Sequence, residues 1–148
     1  MDIQIIESNN ETLKVIIKCR QVNDKVLRLK SHIELFDQKI LAKGEDENFV
    51  IEANDVLYFE AFDDRTFLYT IDNVLEVKLR LYELEAFLSE KDFIRISKSH
   101  IVNINKISKL KPELNRTLLL TLCDGEQLSV SRNYVKQFKE LLSIGVTK

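Results

Sequence analysis

Glycine and proline are scarce in this sequence, and tryptophan is absent. The 148 residues include three glycines and one proline, which leaves no flexible linker or low-complexity tract. No apolar run approaches the ~18 residues that a membrane span needs, and the start, MDIQIIE, lacks the basic and long apolar regions of a secretory signal. We therefore expect a cytoplasmic chain with one globular domain, or one domain plus an appendage.

The residue patterns of common catalytic sites are also missing. Cys19 and Cys123 are isolated, without CxxC spacing, as expected for two reduced thiols rather than a disulfide or a metal site. There is no glycine-rich phosphate loop, no GxSxG and no HExxH. Asp63, Asp64 and His100 could serve a hydrolase, but adjacent acids are typical of tight turns. We predict no enzyme, no metal, no cofactor and no small-molecule substrate.

Charge is distributed unevenly along the chain, although the net charge is only −2. Residues 1–90 hold 11 Lys and Arg against 19 Asp and Glu, whereas residues 91–139 hold 10 against 4. Such asymmetry indicates an anionic ligand or an oriented partner for the basic part. A solvated basic face is the alternative.

The first 38 residues predict a β-hairpin followed by a helix. Residues 3–6 and 13–19 are rich in Ile and Val around the polar turn SNNET, as in two paired strands. The next apolar residues are spaced by four, three, four and three, which predicts one stripe along a helix. These residues are Val22, Val26, Leu29, Ile33 and Phe36. The stripe either covers the hairpin or forms a contact with a second copy or another partner.

Residues 39–148 predict a mainly β domain with flanking helices, an α+β fold. Short β-rich runs alternate with turn clusters at 44–48, 63–65 and 72–73, as in successive antiparallel strands. The run RLYELEAFLSEK predicts a short helix. Asp124-Gly125 predicts a hairpin turn between two further strands, and the chain closes with a helix that Ser131 can cap.

The stretch FIRISKSHIVNINKISKLK combines an apolar pattern with an excess of positive charge. Its cations are Arg95, Lys98, Lys106, Lys109 and Lys111, with Asp92 the one acid beside them. A core strand does not need such charge, whereas a phosphate backbone attracts it. In the SRN sequence, Arg132 lies in the first turn of the last helix, where a cation costs about 0.3–1 kcal/mol. That cost is consistent with contact to a phosphate or a guanine edge.

The span from Lys39 to Leu142 resembles the LytTR-type DNA-binding domain of bacterial transcription regulators. The matching pieces are DVLYFEAFDDRTFLYT, LYELEAFL, FIRISKSHIVNINKI and LLLTLCDGEQLSVSRNYVKQFKELL. The resemblance implies elongated antiparallel β-sheets that place loops in successive major grooves. It also implies three base-contacting positions: Arg65 or Thr66, the segment Ser97-Lys98-Ser99, and Arg132 with Asn133 beside it. Ser97 and His100 depart from the family, whose members often have His or Arg and an aromatic there.

The sequence thus predicts a sequence-specific regulator that binds double-stranded DNA through loops in the major groove. The alternative is a protein-interaction module whose basic face binds an acidic partner and which has lost DNA binding. We expect a homodimer on DNA. About 38 residues precede the matching span, too few for a phosphoacceptor domain. The resemblance is to short regulators that are often held inactive by a membrane protein, which adds a membrane-bound inhibitor to the expected partners.

Overall fold

The computed structural model describes residues 1–9, 13–36, 38–88, 90 and 92–143. The helices in these ranges are α1 (Asp24–Phe36), α2 (Leu81–Phe87) and α3 (Arg132–Ser143). The strands are β1 (Lys39–Lys43), β2 (Asn48–Glu52), β3 (Tyr58–Phe62), β4 (Arg65–Tyr69), β5 (Val74–Val77), β6 (Phe93–Arg95), β7 (His100–Asn103), β8 (Ile107–Pro112), β9 (Leu118–Leu122) and β10 (Gln127–Val130). None of these three helices has both the length and the apolar character to cross a membrane.

The strands form two antiparallel sheets. The larger sheet has seven strands in the order β2-β1-β5-β4-β3-β7-β6, and the smaller has three in the order β10-β9-β8. Every strand pair is antiparallel. The predicted mainly β fold with flanking helices is confirmed.

Two hydrophobic cores lie on opposite faces of the larger sheet. One face packs against α1 and α2 and includes Phe59 and Leu68. At one end of the sheet, the other face packs against the smaller sheet and α3 through Tyr58 and Val102. Successive side chains of a strand point to opposite faces, so β3 and β7 contribute to both cores.

Strand β6 also lies between the two cores, which corrects one expectation. Its Phe93 side chain enters the first core and Ile94 the second. In the sequence, Ile94 and Ile96 alternate with Arg95 and Ser97, which predicts one apolar face and one face toward solvent. Ile94 and Ile96 do share an apolar face, in the second core. The opposite face is not open to solvent as predicted, because Phe93 packs in the first core and Arg95 pairs with Glu85 of α2.

Helix α1 is attached to the domain through Ser31 and Leu35, its two buried residues. The Ser31 hydroxyl donates to Asp92 Oδ2 at 2.6 Å, and Asn105 Nδ2 donates to Asp92 Oδ1 at 2.9 Å. The predicted stripe is not this face. Its middle residues are half-buried, and its ends are exposed.

The predicted hairpin does not form. Residues 3–6 and 13–19 are not in strands and are almost entirely exposed, with Ile17 half-buried. The SNNET turn includes residues 10–12, which lie outside the described residues. A two-stranded hairpin is marginal in water without a third strand or a packed helix. Since α1 packs on the domain through its other face, the stripe has no hairpin to cover.

Candidate nucleic-acid interface

The β3–β4 hairpin presents a basic residue at its tip. Asp63 and Asp64 both have positive φ, at 54° and 60°, as in the two-residue turns that suit the twist of paired strands. The Arg65 side chain is 64% exposed, with Nη1 3.9 Å from Glu76 Oε1. Thr66 points to the opposite face and is only 6% exposed, in the first core. Of the two residues that the sequence left open, Arg65 is the accessible one.

The segment after β6 lies beside this hairpin. The Ala61 N–H donates to the Ser99 carbonyl oxygen at 2.8 Å, which brings the exposed Lys98 to the end of β3 at Phe62. The Phe62 ring is 69% exposed and pairs across the hairpin with Arg65. Arg65 is on β4, on one side of β3, and the Ser97–Ser99 segment lies on the other side of β3, so Phe62 at the end of β3 lies between these two backbone segments.

Arg95 makes its contacts within the protein. Its guanidinium donates to the Ser97 carbonyl oxygen at 2.8 Å and to the Lys98 carbonyl oxygen, and it pairs with Glu85. Its side chain is 21% exposed. These contacts hold the peptide groups on both sides of Lys98 and tie them to α2.

Arg132 is brought to the same region by a backbone contact. The Ser131 N–H donates to the Ile96 carbonyl oxygen at 2.9 Å, one residue before Ser97. Arg132 and Asn133 follow as the first two residues of α3, and both are exposed. Phe138, fully buried in the second core, fixes the helix that carries them. The structure therefore brings together the three positions that the sequence singled out.

The remaining lysines are spread over the smaller sheet. Lys109 and Lys111 lie exposed on the edge strand β8, opposite Thr121 and Leu119. Lys111 is near the end at which the smaller sheet leads into α3. Lys106 precedes β8, at the opposite end, and is half-buried. These three lysines therefore lie beside the group formed by Arg65, Lys98 and Arg132 and do not belong to it.

A polar cluster behind the loop was not foreseen from the sequence. Tyr58 and Tyr69 stack with ring centroids 4.2 Å apart. Burial, followed by a hydrogen bond to Glu60, raises the pKa of Tyr69 to about 12. Burial and a hydrogen bond to Glu126 also raise the pKa of Tyr58. The side chains come from different strands and turns, so no local sequence pattern could have shown the cluster.

The fold and this surface define a class of protein. Strand ends, a loop and the first turn of a helix supply three separate cations beside an exposed aromatic ring. Of these residues only Arg132 belongs to a helix, so they do not place the side of a helix against a ligand. Such an arrangement is typical of a β-rich domain that binds nucleic acid, whose phosphates attract arginine and lysine.

Comparison with known proteins identifies the family. The LytTr DNA-binding domain family matches residues 46–143. A LytTr DNA-binding domain from Bacillus cereus has a TM-score of 0.69 and 32% identity, with 72% of this chain and 97% of that chain covered. The chain belongs to the LytTr DNA-binding domain family, as the resemblance predicted.

Two curated relatives extend the match beyond the domain. Sensory transduction protein LytT of Bacillus subtilis (strain 168) is 29% identical over 138 residues, which are 93% of this chain and 56% of LytT. The chain thus spans about half of that relative's length. A protein of Staphylococcus aureus (strain NCTC 8325 / PS 47), described as an uncharacterized HTH-type transcriptional regulator, is 35% identical over 147 residues. The match covers 97% of this chain and 99% of that protein.

The family is a DNA-binding domain of transcription regulators and not an enzyme, which agrees with the sequence prediction. The description of the Staphylococcus aureus relative includes a helix-turn-helix. In the described ranges of this chain, strands separate α1 from α2 and α2 from α3. A helix-turn-helix needs two helices joined by a short turn, and these described helices do not supply one.

Proposed function

We propose that the protein is a cytoplasmic, sequence-specific regulator that reads the major groove of double-stranded DNA through Arg65, Lys98 and Arg132. The observation that carries this proposal is the pair of backbone contacts, Ala61 to Ser99 and Ser131 to Ile96, that gather the three cations. Arginine and lysine are the side chains most often used to contact guanine N7 and O6 in the major groove. Asn133, next to Arg132, can add a contact to phosphate or to adenine.

The other candidate residues have supporting roles in this proposal. Arg95 positions the loop because its guanidinium is already bonded to Ser97 and Lys98. Thr66 supports the first core from beneath Arg65. Lys106, Lys109 and Lys111 contact phosphates, which supply affinity without sequence preference.

A pair of lysine substitutions tests the division between base and phosphate contacts. Lys111→Gln should weaken binding to all DNA sequences alike and reduce the slope of log affinity against log salt by about one. Lys98→Gln should instead reduce the preference for one base pair of the preferred site. Titrations of both variants against the preferred duplex and single-base variants, at several salt concentrations, measure the difference.

Two outcomes would contradict the proposal. A change of sequence preference in Lys111→Gln with an intact salt slope would exchange the assigned roles. If the unaltered protein does not bind DNA from upstream of genes and captures an acidic protein instead, the alternative function, a protein-interaction module, would be favoured.

We also propose that residues 1–38 join two copies of the chain, whereas residues 39–148 form the DNA-binding domain on which α1 packs. The family match begins at residue 46, and the Bacillus cereus domain is 97% covered by only 72% of this chain. Among the described residues from 3 to 16, six large apolar residues are between 58% and 92% exposed. They are Ile3, Ile5, Ile6, Leu13, Val15 and Ile16. Full burial of such a side chain is worth about 1.5–3 kcal/mol.

Charge favours a second copy as the partner of residues 1–38. The first apolar run is flanked by Asp2 and Glu7, and the second contains Lys14 and Lys18. Antiparallel pairing of the first run with the second run of another copy sets these acids against these bases. Such pairing is mutual under two-fold symmetry, in which each copy offers both halves. The half-buried apolar residues of α1, which face away from the buried Ser31 and Leu35, can extend the same contact.

The oligomeric state tests this contact. The unaltered chain should be a dimer in sedimentation equilibrium, and the double variant Ile5→Lys, Val15→Lys should be a monomer, since a buried unpaired cation is costly. The double variant should bind a single half-site normally but lose cooperative binding to two half-sites one or two helical turns apart. Ile71→Lys is the control, because Ile71 is also largely exposed but lies in the β4–β5 turn.

A dimeric double variant would remove these residues from the contact. An unaltered chain that stays monomeric, both free and on two half-sites, would rule out the second copy. In that case a different partner, such as a membrane-bound inhibitor, would bind these exposed apolar residues.

A further inference from the structure

His100 occupies a position between the proposed recognition loop and the sheet. It is the first residue of β7 and lies directly opposite Glu60 of β3 in the strand register. Both side chains are on the face of the larger sheet that carries Tyr58 and Tyr69. The imidazole is 23% exposed, and its ring lies 5.9 Å from the Tyr58 ring.

Both ring nitrogens of His100 have partners, and the partners define their roles. Nε2 is 3.0 Å from Glu60 Oε2, and Nδ1 is 2.9 Å from Ser99 Oγ and 3.2 Å from Ser97 Oγ. A carboxylate only accepts hydrogen bonds, so Nε2 carries the proton in the neutral ring. Nδ1 then accepts a hydrogen bond from the Ser99 hydroxyl at 2.9 Å, and the Ser97 hydroxyl is a second, longer contact at 3.2 Å.

The carboxylate that holds His100 is itself fixed. The Tyr69 hydroxyl donates to Glu60 Oε1 at 2.7 Å. Tyr69 stacks on Tyr58, and the Tyr58 hydroxyl donates to Glu126 Oε1 at 2.6 Å in the β9–β10 turn. His100 is therefore supported by hydrogen bonds and ring contacts that reach both sheets.

Ser97 and Ser99 precede and follow Lys98 in the chain, and their hydroxyls already have contacts within the protein, so they are not free to bind DNA independently. The Ser99 N–H donates to Ser97 Oγ at 3.2 Å, and both hydroxyls are within reach of His100 Nδ1. On the outer side, Arg95 holds the carbonyl oxygens of Ser97 and Lys98. The backbone at Lys98 is thus fixed from two sides, and the direction of its side chain follows from these contacts.

We infer that His100 is a positioning residue that determines sequence selectivity at the base contacted by Lys98, by linking Ser97 and Ser99 to Glu60. This inference rests on the proposed base contact of Lys98 and adds a residue that does not itself touch DNA. A base contact requires the donor to be placed within fractions of an ångström, whereas a phosphate contact tolerates displacement. Loss of the link should therefore reduce selectivity while leaving the general affinity for DNA in place.

His100→Phe tests the inference because it keeps a ring against Tyr58 and removes both nitrogens. We expect selectivity at the Lys98 base pair, measured as the ratio of affinities for the preferred and a substituted duplex, to fall by about tenfold, within the range of one bidentate base contact. Affinity for random-sequence DNA and its salt slope should not change. His100→Gln should restore part of the selectivity, since its amide offers one donor and one acceptor.

A double-substitution cycle separates positioning from a general structural effect. If His100 acts through Lys98, His100→Phe should cause no further loss of selectivity in a Lys98→Gln background. Losses that add, or an equal loss of affinity for all sequences, would overturn the inference. Glu60→Leu gives the same test from the other end of the link if His100→Phe does not fold, because it removes the acceptor for Nε2. Unchanged selectivity in that variant would also overturn the inference.

The proposed function fails in a different way. If Lys98→Gln leaves selectivity unchanged in the otherwise unaltered protein, Lys98 makes no base contact and both ideas fall. If Lys98→Gln loses selectivity and His100→Phe, folded as judged by its circular dichroism spectrum, does not, only the positioning role is wrong.

Discussion

Arg132→Ala should weaken binding to the preferred DNA sequence by ~1–3 kcal/mol and relax the preference at one base pair. Arg132 is exposed at the start of α3, and the Ser131–Ile96 contact places it next to the Ser97–Ser99 loop. The variant should be as stable as the unaltered protein or slightly more stable, because a cation is removed from the positive end of a helix dipole. Titration against the preferred duplex and its single-base variants, together with thermal unfolding, measures both effects.

Lys136→Ala is the matched control for this prediction. Lys136 is exposed one turn further along α3, so its removal takes away the same charge from the same helix. It should lower the affinity for all sequences alike or have no effect, without altering base preference. Equal results for the two variants, or an Arg132→Ala protein with unaltered affinity and selectivity, would show that Arg132 does not read a base.

Phe138→Ala should have the largest effect on stability. Phe138 is fully buried in the second core, and truncation of a buried phenylalanine costs ~3–5 kcal/mol, from lost transfer free energy and the cavity that remains. That is a large part of the ~5–15 kcal/mol that stabilises a typical domain. Thermal unfolding should shift downward by on the order of 10 °C for a chain of this size.

Phe62→Ala makes the same chemical change where the ring is 69% exposed. We expect little change in its unfolding temperature. Binding to DNA should weaken, because Phe62 lies between Arg65 and Lys98. A Phe138→Ala protein as stable as Phe62→Ala would mean that α3 is not held by the second core.

Local patterns predicted most of the domain, because its elements are short and close in sequence. The turns at Asp63-Asp64 and Asp124-Gly125 lie between strands as expected, and Gly125 has a φ of 92° that suits glycine. The run LYELEAFL became α2, with Leu81, Leu84 and Leu88 buried. In each case the residues that decide the structure are neighbours in the chain.

The features that the sequence did not reveal depend on distant partners. Ser31 is buried because Asp92, 61 residues away, accepts its hydrogen bond, so helical periodicity alone selected the wrong face of α1. Arg95 stood out as a free cation, yet its acceptors are backbone carbonyl groups whose positions depend on the fold. The hairpin of residues 3–6 and 13–19 was predicted from β propensity. Propensity alone does not supply the third strand or the packed helix that stabilises a hairpin.

In the candidate site, too, some features depend on neighbouring residues and others on residues that are distant in the sequence. Arg65, Lys98 and Arg132 were named from charge, position and family resemblance, and backbone contacts in the structure bring together the segments that carry them. The choice between Arg65 and Thr66 required knowledge of which face of β4 is covered. The role inferred for His100 depends on its register with Glu60, which is 40 residues away in the sequence.

The sharing of strands β3, β6 and β7 between two cores has a consequence for how the domain comes apart. Two separate cores could melt one after the other, each with its own transition. Here the same backbone segments carry Phe59 and Tyr58, or Phe93 and Ile94, into different cores, so neither core can lose its packing while the other keeps its strands. The domain is therefore expected to unfold in one cooperative step. The amide protons of β3 and β7, which have a paired strand on each side, should exchange with solvent only in the globally opened state.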